Sequence, residues 1–415
     1  MKKITLLFAL LLTLTACSSN TNLTATNLMA GVNKNDIDPI VIDSPQESSA
    51  DKTTEIVDFS LDIFKKIHEG ENTLISPLSI ISALSMTANG AEKETLSQME
   101  EAFGTDVGSL NEYLYAYKSY LPTADKYKVS LANSIWFKDK ESFTVEKEFL
   151  QTNKNYYDAE VYKAPFDDST KKDINVWVNE KTDGQIKKLL EEKPPEDAVM
   201  YLINALSFDA EWLNIYEDTS VREGEFTTED GDKKTVDFMY STEYSYMEIP
   251  NAIGFSKPYA DNKYSFVALL PDEGLAVSDF IASMDGKTLI DTIKSQSDEQ
   301  VYASMPKFSF EYSKELSGIL KELGIKDAFD ANLADFSSLG QSSEENVFIS
   351  RVIHKTKIEV DERGTKAGAV TAVEMAAGAA PAEPKTVNLN RPFFFMIVDN
   401  EFSMPIFMGA LSNVS

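Results

Sequence analysis

The chain has 415 residues, of which 43% are hydrophobic and 11% aromatic, and this composition supports a large core and excludes a disordered chain. The 39 Lys and Arg residues against 67 Asp and Glu give a net charge of −28, which argues against a nucleic-acid-binding protein. A single cysteine excludes an intrachain disulfide or a cysteine-cluster metal site, and two histidines leave little room for zinc. We predict no metal site and no cofactor.

The N-terminus has the pattern of an export signal. Two lysines precede an apolar run over 4–14 that is too short to span a bilayer comfortably. The run leads into the sequence LTAC, which resembles the lipobox of bacterial lipoproteins, where the cysteine is acylated and the preceding segment removed. We predict a lipoprotein signal peptide over 1–16 and a lipid anchor at Cys17, which would hold the secreted protein on the bacterial membrane or cell surface. An ordinary secretory signal with an incidental cysteine is the alternative.

The next segment, 17–50, is rich in Ser, Thr, Asn and Asp and has few large apolar residues. Such a composition cannot bury enough surface to fold, so we predict a flexible, lipidated tether; a terminus without purpose is the alternative. Length alone suggests two or three domains. Because no Gly/Ser linker or composition break divides 51–415, we predict one domain there.

Periodicity in the body of the chain indicates both helices and strands. Helical spacing predicts helices over 59–67, over 80–88 after Ser76 and Pro77, and over 316–323 before Gly324. Apolar runs predict strands over 264–270, 301–312 and 393–398.

Catalytic motifs are absent from the sequence. It has no G-x-S-x-G, no P-loop and no G-x-G-x-x-G, so we predict no catalytic residue and no enzyme activity. His354 stands between apolar residues, and we expect a buried, hydrogen-bonded ring rather than a general base. His68, at a helix end, is expected to be a solvated cap.

The segment 362–380 is dominated by small residues that alternate with period two. One phase, which begins Thr365, Ala367, Ala369 and Thr371, carries no charge, whereas the other holds Lys366 and Glu374. No proline interrupts it before position 381. The segment could therefore become a strand with its uncharged face inward; an Ala-rich surface loop is the alternative.

Ordered blocks of sequence resemble one family, the serpins, over essentially all of 51–415. They are 72–79, 131–136, 174–178, 204–208, 354–365, 387–393 and 407–409. The resemblance implies a mixed α/β (α+β) serpin fold with three β-sheets, about nine helices and an exposed reactive-centre loop.

The resemblance also implies a function for the alternating segment. In an inhibitory serpin a serine protease attacks this loop and forms an acyl-enzyme, and the cut loop then inserts into sheet A and traps the protease covalently. The hinge would comprise Glu362, Gly364, Thr365, Ala367, Gly368 and Ala369, of which Thr365, Ala367 and Ala369 are small and proline-free positions. Gly368 stands where Ala is commoner in the family, and Val370 is larger than usual. We expect a monomer that acts as a serine-type endopeptidase inhibitor.

Two further clusters follow from the family match. Ser76, Ser79, Asn204 and His354 would form the shutter, a hydrogen-bond cluster under sheet A that must part for the loop. Trp212, with Thr365, would form the breach, where insertion starts.

The scissile bond is predicted by counting from Glu362 to Gly378-Ala379, with Ala376, Ala377 and Ala380 as alternates. Counting back from Pro392 points nearer Pro381. All these candidates are small and uncharged, which suits an elastase-like or subtilisin-like protease. A non-inhibitory serpin and a surface ligand-binding lipoprotein are the alternative functions.

Overall fold

The structure is a computed structural model that describes residues 23–37, 47–121, 124, 126–344, 346–365 and 384–414. These residues include nine α-helices: α1 Glu47–Ile67, α2 Pro77–Ala88, α3 Lys93–Phe103, α4 Val107–Tyr120, α5 Lys147–Tyr157, α6 Asp168–Lys181, α7 Val277–Ala282, α8 Gly286–Lys294 and α9 Ser317–Glu322. Among them, none is long and apolar enough to cross a membrane.

The same residues hold nineteen strands, which in chain order are β1 Thr26–Asn27, β2 Thr73–Ile75, β3 Tyr127–Lys138, β4 Phe143–Val145, β5 Glu160–Ala164, β6 Met200–Glu211, β7 Val221–Thr227, β8 Lys233–Glu243, β9 Tyr246–Ile249, β10 Ala252–Pro258, β11 Tyr264–Pro271, β12 Val301–Pro306, β13 Phe308–Glu315, β14 Gly340–Ser342, β15 Arg351–Val360, β16 Gly364–Thr365, β17 Lys385–Asn388, β18 Phe393–Asp399 and β19 Met404–Leu411. Sheet A has the order β1-β5-β3-β6-β16-β15-β13, sheet B the order β2-β19-β18-β11-β10-β9, and sheet C the order β17-β12-β8-β7. Strands β14 and β4 form a separate ribbon. The predicted serpin fold, with its three sheets and about nine helices, is confirmed within the described residues.

Local sequence explains how the helices start and stop. Ser76 caps α2, its side chain accepting a hydrogen bond from the Ser79 amide, and Pro77 occupies the first turn where no amide donor is needed. Asp167 and Thr170 form a reciprocal capping box at the start of α6. α2 packs against one face of sheet A and α6 against the other.

The strand predicted over 301–312 is divided in the structure. β12 ends at Pro306 and belongs to sheet C, whereas β13 begins at Phe308 and belongs to sheet A. Pro306 lacks an amide hydrogen and the chain changes sheets at Lys307, so one apolar run serves two sheets. The run therefore connects the two sheets at the end of sheet A where the reactive loop departs.

The predicted tether is not free along its whole length. Residues 23–37, which we call the strap, lie against the outer edge of sheet A, where Thr26 pairs with Lys163 and Asn27 with Tyr162. Met29 is buried, and the amide of Leu28 donates to the carbonyl of Val161. The expectation of a flexible 17–50 is wrong for this stretch, because the open edge of β5 supplies partners that composition cannot reveal.

Two apolar cores stabilise the body. The larger one joins sheet B to α1, α2 and the inner face of sheet A. The smaller one lies between α6 and the outer face of sheet A and includes Trp136, Trp177 and Tyr201. Sheet A is thus packed on both faces, and anything that enters it must be compatible with both cores.

Candidate functional site

The centre of sheet A is paired at its two ends but not between them. At the lower end, β6 and β15 pair directly and in parallel, from Tyr201↔Arg351 to Asn204↔His354. At the upper end, β16 lies between them, and Thr365 pairs with both Ala210 and Val360. Between these ends, residues 205–209 pair with β3 and residues 355–359 with β13, but the described residues show no pairing of the two stretches with each other. This unpaired stretch is a slot for one more strand.

The hinge enters the upper end of the slot at Gly364 and Thr365. A Cβ at position 364 would lie 2.0 Å from the carbonyl oxygen of Ala210, so only glycine allows β16 to come this close to β6. The Thr365 side chain is buried, and its hydroxyl lies 2.6 Å from the Tyr259 hydroxyl. A small cavity lies just below Thr365, between β6 and β15, and its lining includes Phe208, Ile358 and Thr365.

The breach is built around Trp212. Its amide donates to the carbonyl of Arg363 over 2.9 Å, and its indole Nε1 donates to the carbonyl of Asp361 over 2.8 Å. Its ring stacks on Tyr259, with ring centroids 4.4 Å apart. Trp212 therefore holds the backbone at Asp361 and Arg363, directly before Gly364 and Thr365.

An ion pair lies at the start of the hinge. The Lys307 ammonium lies 2.6 Å from the Glu362 carboxylate, and this hydrogen bond holds the pKa of Glu362 below its ordinary value. The same pairing raises the pKa of Lys307. Both side chains are about one-third exposed, so the pair contributes little to stability.

The shutter lies at the lower end of the slot. The Ser76 amide donates to His354 Nε2 over 3.2 Å, so the proton of the neutral ring is on Nδ1. Burial lowers the pKa of His354 to about 3, and the ring is therefore neutral at physiological pH. The predicted buried histidine is found, and the side chain of its partner Ser76 accepts a hydrogen bond from the Ser79 amide.

Asn204 has a different partner from the one expected. Its side-chain amide donates to the Asn133 side chain on β3, although its Cα is paired with that of His354. Among the described residues, no partner is present for Asn204 Oδ1, His354 Nδ1 or Ser79 Oγ. Buried polar atoms without partners are costly, so the shutter carries unsatisfied hydrogen-bonding capacity.

The remaining predicted site residues lie outside the described part of the chain. They are Cys17, Ala367, Gly368, Ala369, Ala376, Ala377, Gly378, Ala379 and Ala380. The described chain stops at Thr365 on sheet A and resumes at Pro384 before β17 on sheet C.

Sequence reasoning missed several residues that the structure brings to the site. Tyr259, Lys307 and Asn133 contact hinge or shutter residues from distant parts of the chain. No local pattern marks them, because each contact joins residues far apart in sequence. His68 was predicted to be solvated, but it is buried, with Nδ1 2.9 Å from the Thr73 hydroxyl.

Known proteins share this arrangement. A family model described as serpin (serine protease inhibitor) matches residues 54–414. An uncharacterized serpin-like protein of Methanosarcina acetivorans is 30% identical over 382 residues, which are 85% of this chain and 85% of that protein. A leukocyte elastase inhibitor of Equus caballus is 29% identical over 376 residues, covering 86% of this chain and 97% of that protein.

Serpins of known structure are also similar to this chain. The crystal structure of the thermophilic serpin tengpin in its native state is 49% identical, covers 94% of this chain and 100% of that one, and superposes with a TM-score of 0.88. The latent state of tengpin is 48% identical, covers 92% of this chain and 100% of that one, and superposes with a TM-score of 0.78.

Proposed function

Because the chain belongs to the serpin family, we propose that it inhibits serine proteases as a suicide substrate. A protease would cut the loop between Thr365 and Pro384, and the cut loop would enter sheet A before the acyl-enzyme is hydrolysed. The protease would then remain covalently attached. The protein itself supplies no catalytic group for this reaction.

The observation that carries the proposal is the slot. Over 205–209 and 355–359, β6 and β15 pair outward with β3 and β13 but, among the described residues, not with each other. The hinge already lies between them at the upper end, as β16. If β16 were extended downward, it would pair with the facing edges of β6 and β15. It would also separate these two strands at the lower end, where they now pair directly. Thr365, the first inward-facing position, is already buried in sheet A as part of β16.

The register of β16 predicts where the inserted residues would lie. If the Thr365↔Ala210 pairing continued antiparallel, Thr371 would come opposite both Asn204 and His354. A threonine hydroxyl can donate and accept, and these two residues have an unpartnered acceptor and an unpartnered ring nitrogen. Insertion would thus satisfy groups that the shutter leaves unsatisfied.

The same register bears on the scissile bond. Residue 375 would come opposite Met200, the lowest residue of β6. Cleavage between 376 and 380 would therefore release enough chain to fill the slot to its lower end. This supports Gly378-Ala379 and its alternates over a bond nearer the hinge.

The gain on insertion is large on the protein scale. About a dozen new backbone hydrogen bonds at roughly 0.5–1.5 kcal/mol each amount to on the order of 10 kcal/mol, reduced by the cost of ordering the loop. The intact protein is then a metastable state, and cleavage releases it.

The small uncharged residues at 376–380 favour an elastase-like or subtilisin-like target. The relatives named leukocyte elastase inhibitor, from the horse and from Xenopus tropicalis, support the elastase-like class. We also propose that Cys17 is lipidated, so that inhibition takes place at a bacterial membrane or cell surface.

The test is to mix the purified protein with an elastase and to run a denaturing gel. A band at the summed mass supports inhibition, and sequencing of the released peptide identifies the bond. Rapid cleavage without such a band, across several elastase-like and subtilisin-like proteases, would refute the proposal.

A hinge variant sharpens this test. Thr365→Arg places a charge at a buried position and should convert the inhibitor into a substrate that is cut without forming the band. Thr242→Arg makes the same change at an exposed position of β8 and should leave the band intact. If both variants still trap the protease, entry of the hinge into the slot is not required.

A further inference from the structure

The strap is attached to the body of the protein by several hydrogen bonds. The Thr24 hydroxyl and the Ala25 amide both donate to the Asp173 carboxylate of α6 over 2.7 Å. β1 then pairs with β5, and further on the Asn35 amide donates to Asn155 on α5. The strap is thus held at several points along the side of the body.

The strand registers give the position of this exit relative to the reactive loop. Thr26 pairs with Lys163, Lys163 with Phe137, and Phe137 with Met200 at the lower end of β6. Thr365 pairs with Ala210, ten residues higher on the same strand. At about 3.3 Å per residue, the exit lies about 33 Å below the hinge.

The direction of the strap points the same way. β1 is antiparallel to β5, which runs downward beside β3, so the residues before Thr26 lead toward the lower end of sheet A. Leu23, the first described residue of the strap, therefore lies toward the end of sheet A that is remote from β16.

The sequence between Cys17 and the strap is short. Only residues 18–22 separate Cys17 from the strap, and the six Cα–Cα steps between Cys17 and Leu23 span at most about 21 Å when fully extended. If the end of sheet A that carries β16 faced the lipid, Leu23 would have to lie about 33 Å or more above the membrane surface. The segment 18–22, which we call the leash, spans at most about 21 Å and does not reach that far.

We propose that the strap orients the anchored protein on a lipid bilayer, with the lower end of sheet A toward the membrane and the reactive loop outward. The inference rests on the proposed lipid anchor at Cys17. Its consequence is that the loop is presented to proteases arriving from outside and is kept away from the lipid surface.

The test uses the mature chain from Cys17, whose single cysteine can be coupled directly to a maleimide lipid in neutral phosphatidylcholine vesicles. Chemical coupling makes the measurement independent of natural lipidation, and neutral lipid removes the effect of the strongly negative chain. A fluorescent amino acid is placed either at Lys193, in the exposed loop before β6, or at Asp218, an exposed position near the breach. Energy transfer to acceptor lipids in the outer leaflet is then measured.

We expect transfer from position 193 to be several-fold more efficient than transfer from position 218. The control inserts twenty Gly/Ser residues between Asn20 and Thr21, which lengthens the leash to a maximum of about 90 Å and should bring the two efficiencies together. Equal efficiencies with the natural leash, or a difference that survives the insertion, would overturn the proposal. The same vesicles titrated with elastase report on inhibition separately, so either proposal can fail alone.

Discussion

Sheet B and the centre of sheet A are built from the same kind of apolar strand, but they are completed to different degrees. β18 pairs with β11 on one side and β19 on the other, and all residues of β18 and β19 are buried. In sheet A, β6 and β15 pair with β3 and β13 along their outer sides, but over 205–209 and 355–359 the described residues show no pairing between the two strands. Buried shutter atoms among the described residues also have no partner.

The comparison shows where metastability can be stored. In sheet B, β18 is paired along both sides and fully buried, so it offers no open edge to a further strand. The centre of sheet A has unused hydrogen-bonding capacity and a hinge already in place, so it can gain stability by accepting a strand. The free energy that would drive the proposed loop insertion is therefore gained at the slot in sheet A rather than throughout the fold.

The largest effect expected is that of cleavage itself. Material cut within 376–380 should unfold about 20 °C above intact material, because a gain on the order of 10 kcal/mol shifts the midpoint by about 2 °C per kcal/mol in a large domain. Calorimetry of intact and cut samples checks this. Equal midpoints would remove the distinction between the two sheets.

A core truncation in sheet B should act in the opposite sense. Phe395 is fully buried, with its ring 5.5 Å from those of Phe266 and Phe308, so Phe395→Ala should lower the free energy of unfolding by about 3–5 kcal/mol. Urea denaturation measures the loss. At a temperature where the variant is folded, the fraction of elastase trapped should not change; a lost complex would mean that sheet B also drives insertion.

The shutter should make stability depend on pH. The pKa of His354 is about 3 in the folded protein against an ordinary 6.5, so the unfolded chain binds the proton more readily and stability falls as the pH drops below 6.5. Between pH 6.5 and pH 5 the loss from this residue should be about 2 kcal/mol. His354→Gln should remove that part of the slope in urea denaturation.

His68 provides the control for the pH experiment. Its pKa is also lowered by burial, so it contributes a slope of the same sign from a ring that contacts Thr73 rather than the shutter residues. His68→Gln should leave the His354 contribution in place. An unchanged slope in His354→Gln would show that the shutter ring is not the titrating group.

The smallest effect concerns the hinge contact. Tyr259→Phe removes the hydroxyl that meets Thr365 and should lower the free energy of unfolding by about 0.5–1.5 kcal/mol. Tyr264→Phe is the matched change, since that buried hydroxyl has no partner among the described residues, and it should cost less. Equal losses in urea denaturation would mean that the Tyr259 contact does not hold the hinge.

Sequence patterns were sufficient where the relevant physics is local. The capping residues of α2, the apolar runs of β11 and β18, and the buried environment of His354 were all predictable from neighbouring residues. The single run over 301–312 was not resolved correctly, because apolar alternation does not reveal which sheet a strand joins. The scissile bond and the hinge beyond Thr365 remain predictions.

The sequence by itself determined the family, the small-residue hinge and the absence of catalytic motifs, since each depends on residue type and spacing along the chain. Only the tertiary structure decided that the strap follows the edge of sheet A, that Lys307 holds Glu362, and that Asn204 turns to Asn133. Those contacts join residues distant in sequence. Their partners exist only once the sheets have assembled, so no local pattern encodes them.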